Sequence, residues 1–228
     1  MLTITIDNFR DFHQLIFIIS SLVIEHLSAL YELSKDTSVT FLYCNYKEPR
    51  TPSTYIRLAL KQLCRRLTDL PPALEKLFEL HYKNDSQPKY VELGGVFSTI
   101  IQQFNSVFII LDALDECTLD QRKALCEFIL GITKPTTGAS RGTAGPQGIC
   151  KLFITSRKEP DLEQAFIQNS IPTIEIAAAT VDEDIKDYVK AQIQQRLQDK
   201  SIGLKEKILT TLTTKAGGMY VFSSIYIN

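Results

Sequence analysis

Three carboxylates, Asp112, Asp115 and Glu116, close the stretch at residues 107–116, VFIILDALDE. Carboxylates in such density can hold a divalent cation or orient and deprotonate a water. The residues before them suit that work. Five consecutive apolar residues from Val107 to Leu111 read as a strand buried on both faces of a parallel sheet. Open α/β sheets bind their ligands at the carboxyl ends of such strands. One acid after a strand commonly begins a loop or caps the next helix. Three within five positions, around the small residue Ala113, call for more than a cap.

Other chemistries find less support. Cys44, Cys64, Cys117, Cys126 and Cys150 are odd in number and scattered, which fits reduced thiols in the cytoplasm rather than a disulfide framework. His13, His26 and His81 stand far apart and at no metal-ligand spacing to a cysteine, so a zinc site is not expected. The chain has 228 residues, is 44% hydrophobic and 22% charged, and carries a net charge of -1 without a block of one sign. That supports one good core and argues against a nucleic-acid or polybasic membrane surface. The apolar run at residues 15–24 is broken by Ser20 and Ser21 and is too short to span a bilayer. Asp7 and Asp11 before it spoil a signal peptide. It reads as a buried helix.

The elements that must position the acids alternate between strand and helix. Residues 2–6 (LTITI), 39–46, 107–112, 150–157 and 172–177 read as strands. Helices are predicted over residues 12–33, 53–67, 72–82, 91–104, 119–131, 182–197 and 204–216, with Asp120 and Asp182 as caps. The first half of the first helix is apolar almost all round, which predicts a helix sandwiched between a sheet and other elements. Gly94 with Gly95 predicts close packing or a bend. Lys61, Arg65 and Arg66 read as a solvated basic face. Residues 133–148 are dense in Gly, Pro, Ser and Thr and read as a surface insertion. A strand follows them and no Lys-Ser or Lys-Thr pair closes them, so Gly138, Gly142 and Gly145 do not make a phosphate loop. This alternation predicts a three-layer α/β fold on a mainly parallel sheet.

The stretch at 107–116 resembles the Walker B motif of P-loop NTPases, in the form carried by NACHT-type signal-transduction ATPases. The resemblance extends over about residues 21–221. Its strongest parts are FIILDALDEC and KLFITSRKEPDL, in the order and at the distance of the nephrocystin-3-like N-terminal type of fungal NOD-like proteins. It implies a five-stranded P-loop NTPase-like domain over residues 1–178, followed over 179–228 by the start of a small helical domain. It implies ATP and Mg²⁺ as cofactors: Asp112 would hold the metal through water, and Asp115 and Glu116 would orient or deprotonate the attacking water. Thr155 and Arg157, at the end of the strand after Walker B, would contact the nucleotide, Arg157 as the γ-phosphate sensor. The alternative for Arg157 is a surface ion pair with Glu159 or Asp161. The family module is an ATP-driven switch, often associated with ankyrin repeats, and oligomerises with other NACHT proteins.

One part of the family pattern is missing. No G-x-x-x-x-G-K-[ST] occurs, and Leu15, Ile16 and Phe17 stand where Gly, Lys and Ser would precede SLVIEHL. No glycine lets the backbone wrap phosphate, no lysine reaches it, and no hydroxyl is in place for Mg²⁺. Residues 1–20 are therefore atypical, as a misplaced start or splice site would make them. Two functions are expected: a switch module with weak or no ATP hydrolysis, or a non-catalytic scaffold or decoy that associates with full-length relatives.

Overall fold

The structure, a computed structural model, describes residues 2–6, 13–133, 149–176, 187, 190, 191, 193–195 and 201–216. Its elements in order are β1 (Leu2–Ile6), α1 (His13–Leu30), β2 (Thr37–Tyr43), α2 (Pro52–Cys64), α3 (Pro72–Lys83) and α4 (Tyr90–Ile101). Then come β3 (Ser106–Asp112), a 3₁₀ turn (Leu114–Glu116), α5 (Leu119–Thr133), β4 (Ile149–Arg157), α6 (Pro160–Gln168), β5 (Thr173–Ile176) and α7 (Ile202–Ala216). The glycine-rich stretch at 134–148 and most of the helix expected over 182–197 lie outside the described residues.

All five strands pair in parallel, in the order β2-β3-β4-β1-β5. Parallel crossovers are right-handed, so the direction of each step decides the face its helix occupies. The step from β1 to β2 runs one way across the sheet, and those from β2 through β5 run the other. Accordingly α1 packs on one face, against β2, β3 and β4, while α2, α4, α5 and α6 cover the other. This is the expected three-layer α/β arrangement.

Strand alternation divides β3 between the two layers. Val107, Ile109 and Leu111 enter the main core with Tyr55, Leu63, Phe97 and Ile100. Phe108 turns to the α1 side, where its ring stacks on Tyr31 at 5.3 Å. Helix α4 supplies Leu93, Val96, Phe97, Ile100 and Ile101, the i, i+3, i+4, i+7, i+8 stripe of a helix with one buried face. Strand β2 lies at an edge, and an edge exposes unpaired backbone groups. Gln62 of α2 covers them: its carboxamide accepts from Phe41 N–H at 3.0 Å and donates to Phe41 C=O at 2.8 Å.

Several local expectations change. Strand β2 begins at Thr37, two residues ahead of the expected start, because Thr37 pairs with Ser106 at the start of β3. Helix α1 is not enclosed: Phe17, Leu22 and Leu30 are exposed, since the crossover rule leaves α1 as the outer layer of its face among the described helices. Asp120 lies in the first turn of α5, and the cap-like bond there runs from Thr118 N–H to Gln121 Oε1 at 2.9 Å. Arg66 is not merely solvated, because its Nη2 donates to the carbonyls of Tyr31, Glu32 and Ser34 just beyond the carboxyl end of α1. No helix among the described residues is long and apolar enough to cross a membrane.

The glycine pair in α4 is not demanded by space. A Cβ at Gly94 would meet the Phe128 ring at 3.8 Å, an ordinary contact, and one at Gly95 would meet nothing within 4 Å. Gly95→Ala is therefore expected to stabilise the fold by about 0.5–1 kcal/mol through helix propensity. Thermal denaturation of the variant checks this, and a lowered midpoint would mean that α4 needs glycine for another reason.

Candidate functional site

The carboxyl end of β3 delivers Asp112 into a place where three elements meet. Its Oδ1 accepts hydrogen bonds from the hydroxyl of Ser20, on α1, and from that of Thr155, on β4, the latter at 2.7 Å. Ser20 and Thr155 oxygens are themselves 3.2 Å apart. All three residues are buried. Burial raises the Asp112 carboxyl above the ordinary carboxylate value, the two hydroxyls pull it back, and the charge of Asp115 adds to the rise.

The chain then turns sharply. Ala113 sits in the left-handed region at φ 54 and ψ 51, and its N–H donates to Thr155 Oγ1 at 3.1 Å. A left-handed conformation costs a residue with a Cβ about 1–2 kcal/mol and is worst for bulky or β-branched side chains, which gives the small, unbranched residue between the acids a backbone reason. The turn passes directly into the 3₁₀ segment and aims Asp115 inward at Arg157. Arg157 N–H donates to Asp115 Oδ1 at 2.9 Å and its Nε to Oδ2 at 2.6 Å. The Asp115 side chain is only 1% exposed and that of Arg157 30%. Glu116 faces away toward the β2–α2 connection, where its Oε2 accepts from Tyr46 N–H at 3.2 Å.

The sequence-predicted residues are thus brought together, but against one another. Thr155 holds Asp112, and Arg157 holds Asp115. The surface alternative for Arg157 is not what forms, because Glu159 and Asp161 both pair with Arg122, at 3.3 and 3.0 Å. Ser20 is the residue that sequence reasoning missed, since a hydroxyl does reach Asp112, one helical turn beyond the position where the family pattern puts its own. Its signal was the Ser20–Ser21 break in an otherwise apolar run. Tyr43 joins the site too: its hydroxyl is raised by burial and by the charge of Asp112, and lowered by a hydrogen bond with Ser21.

A thiol pair lies beneath. Cys44 N–H donates to Asp112 C=O at 3.0 Å, and the Cys117 thiol lies 3.7 Å from the Tyr55 hydroxyl, to which it donates. Contact between the two cysteines lowers Cys117 and raises Cys44. Among the described residues no group of three or more His, Cys, Asp or Glu side chains is gathered for a metal ion.

Three layers on an all-parallel five-stranded sheet, with acids at the carboxyl end of an interior strand, define a P-loop NTPase-like fold. The profile of the family described as Nephrocystin 3, N-terminal, matches residues 17–157, well over half of the chain. The protein belongs to this NACHT-like family. No curated protein matches it.

Two outcomes test the geometry. Arg157→Ala removes the guanidinium from a buried carboxylate and leaves it only the backbone N–H, and the partial exposure of the arginine places the cost at about 2–3 kcal/mol in urea denaturation. A change within about 0.5 kcal/mol would make Arg157 a surface cation with no structural role. For Asp112, a folded-state value above the unfolded one means that the folded chain keeps the proton to higher pH. The stability this contributes is full below the unfolded value and is lost as pH rises through the folded one. The stability of the wild type relative to Asp112→Asn is accordingly expected to fall as pH rises above the ordinary aspartate value of about 4. Denaturant titrations over a series of pH values decide, and a rising difference would reverse the assignment.

Proposed function

We propose that this chain is a NACHT-type signalling module that acts by association rather than by ATP hydrolysis, with the Walker B-like acids serving as internal tethers. The observation that carries this is the engagement of both aspartates. Asp112 is held by the Ser20 and Thr155 hydroxyls and Asp115 by Arg157. ATP and Mg²⁺ do not fit that set: the groups that would meet metal and γ-phosphate are bonded to each other, and the sequence carries no phosphate-binding lysine or glycine loop. In this reading the acids carry no hydrolytic step. Other NACHT proteins are the partners, in a cytoplasmic setting consistent with all five cysteines being free thiols.

A nucleotide-dependent switch is the second reading. It is favoured by the gathering of Asp112, Asp115, Glu116, Thr155 and Arg157 at the carboxyl end of the sheet, where folds of this kind take ligands. Calorimetric and thermal-shift titrations with MgATP separate the two. A site with a Kd of about 0.1 mM would add about 1.4 kcal/mol of stability at roughly 1 mM nucleotide. The association reading expects no saturable heat and no shift of that size. Saturable binding that weakens in Arg157→Gln would replace it with the switch.

A further inference from the structure

Helices α2 and α3, with the loop leading into α4, enclose an open groove of about 600 Å³. Its floor and walls are apolar: Leu60, Cys64, Leu74, Leu77, Phe78 and Leu93. Phe78 is 65% exposed at the lip and stacks on Tyr82 at 5.6 Å, so a large aromatic surface stands in water beside the groove. Scattered apolar side chains need no explanation, but a contiguous apolar trough of this size does. Along its α2 side run Arg57, Lys61 and Arg65, all exposed and one helical turn apart. Their side chains make no ion pair with any described residue. Like charges at i, i+4 repel within a helix, so this rail opposes α2 unless acids are brought to it.

We propose that the groove docks an amphipathic helix of a partner protein, apolar along one stripe and acidic along the flank that meets α2. Cations spaced by four residues lie about 6 Å apart along the α2 axis, the spacing at which acids recur on a second helix. The apolar stripe of that helix, at i, i+3, i+4 and i+7, fills the trough in the helix-in-groove mode. The acids fix its orientation and speed its arrival. The inference is independent of whether nucleotide binds at the sheet.

The probe is a fluorescein-labelled synthetic helix with a leucine stripe and three glutamates at i, i+4 and i+8 on one flank, compared by fluorescence anisotropy with a version carrying lysines there. The glutamate peptide is expected to bind the chain about tenfold more tightly at low salt. The triple variant Arg57→Glu, Lys61→Glu, Arg65→Glu is expected to invert that preference, a gain for the lysine peptide that a misfolded protein could not show. Phe78→Ala should weaken binding of the glutamate peptide to the wild-type surface. Equal affinity for the two peptides, or no binding of either, overturns the proposal. So does concentration-dependent dimerisation by sedimentation that Phe78→Ala abolishes, or saturable uptake of palmitate without any peptide binding.

Discussion

A carboxylate taken out of water must be hydrogen-bonded or it destabilises the fold that buries it. Asp112 meets that constraint with hydroxyls from α1 and β4, and the arrangement ties together three segments far apart in sequence. The rest of this end of the sheet follows from it. Thr155, fixed by Asp112, also receives the N–H of Ala113, which holds that residue in its left-handed conformation. The resulting turn carries Asp115 beneath Arg157, whose backbone and guanidinium both donate to it. A missing hydroxyl at either neighbour would leave the aspartate short of donors in a place where an unsatisfied charge costs several kcal/mol.

On the proposed reading, the same geometry gives the nucleotide-site pattern a second role as a set of internal tethers. An acid that serves a metal must keep oxygens available; both Asp115 oxygens have protein donors, while the two hydroxyls on Asp112 meet at its Oδ1. The turn disfavours a bulky or β-branched residue at Ala113, and the requirement for Thr and Arg at the end of β4 comes from the two aspartates. A motif maintained by such reciprocal bonds is stable as a structural unit. Fold and function therefore separate here, since the fold explains the placement of these residues without obliging any of them to touch a ligand.

The strands and their order of appearance were legible because buried parallel strands are short apolar runs, and FIIL and KLFIT can be little else. Asp112, Thr155 and Arg157 were legible as residues at strand ends. Their mutual engagement was not, because it depends on β3 and β4 being neighbours and on α1 crossing beneath them, which no local pattern states. Ser20 was hidden for the same reason: a serine in an apolar helix signals only an interruption until the carboxylate 92 positions away is placed beside it. The start of β2 was not legible, because it is set by the pairing of Thr37 with Ser106 on a strand far away in sequence.

Helix α2 shows why a basic helix cannot be assigned from charge alone. Successive side chains point about 100° apart, so its faces serve different neighbours. Tyr55, Ile56, Ala59, Leu60 and Leu63 enter the core, while Gln62 completes the edge strand. Just past the end of the helix, Arg66 binds carbonyls at the carboxyl end of α1, where a cation is favoured by the helix dipole. What remains is the stripe at Arg57, Lys61 and Arg65, for which the described residues provide no opposite charge. Arg66 and Arg65 are adjacent in sequence, yet one is part of the structure and the other faces outward. The distinction arises from where the turn that ends α2 aims each side chain rather than from residue type, and it leaves uncompensated charge beside the apolar groove.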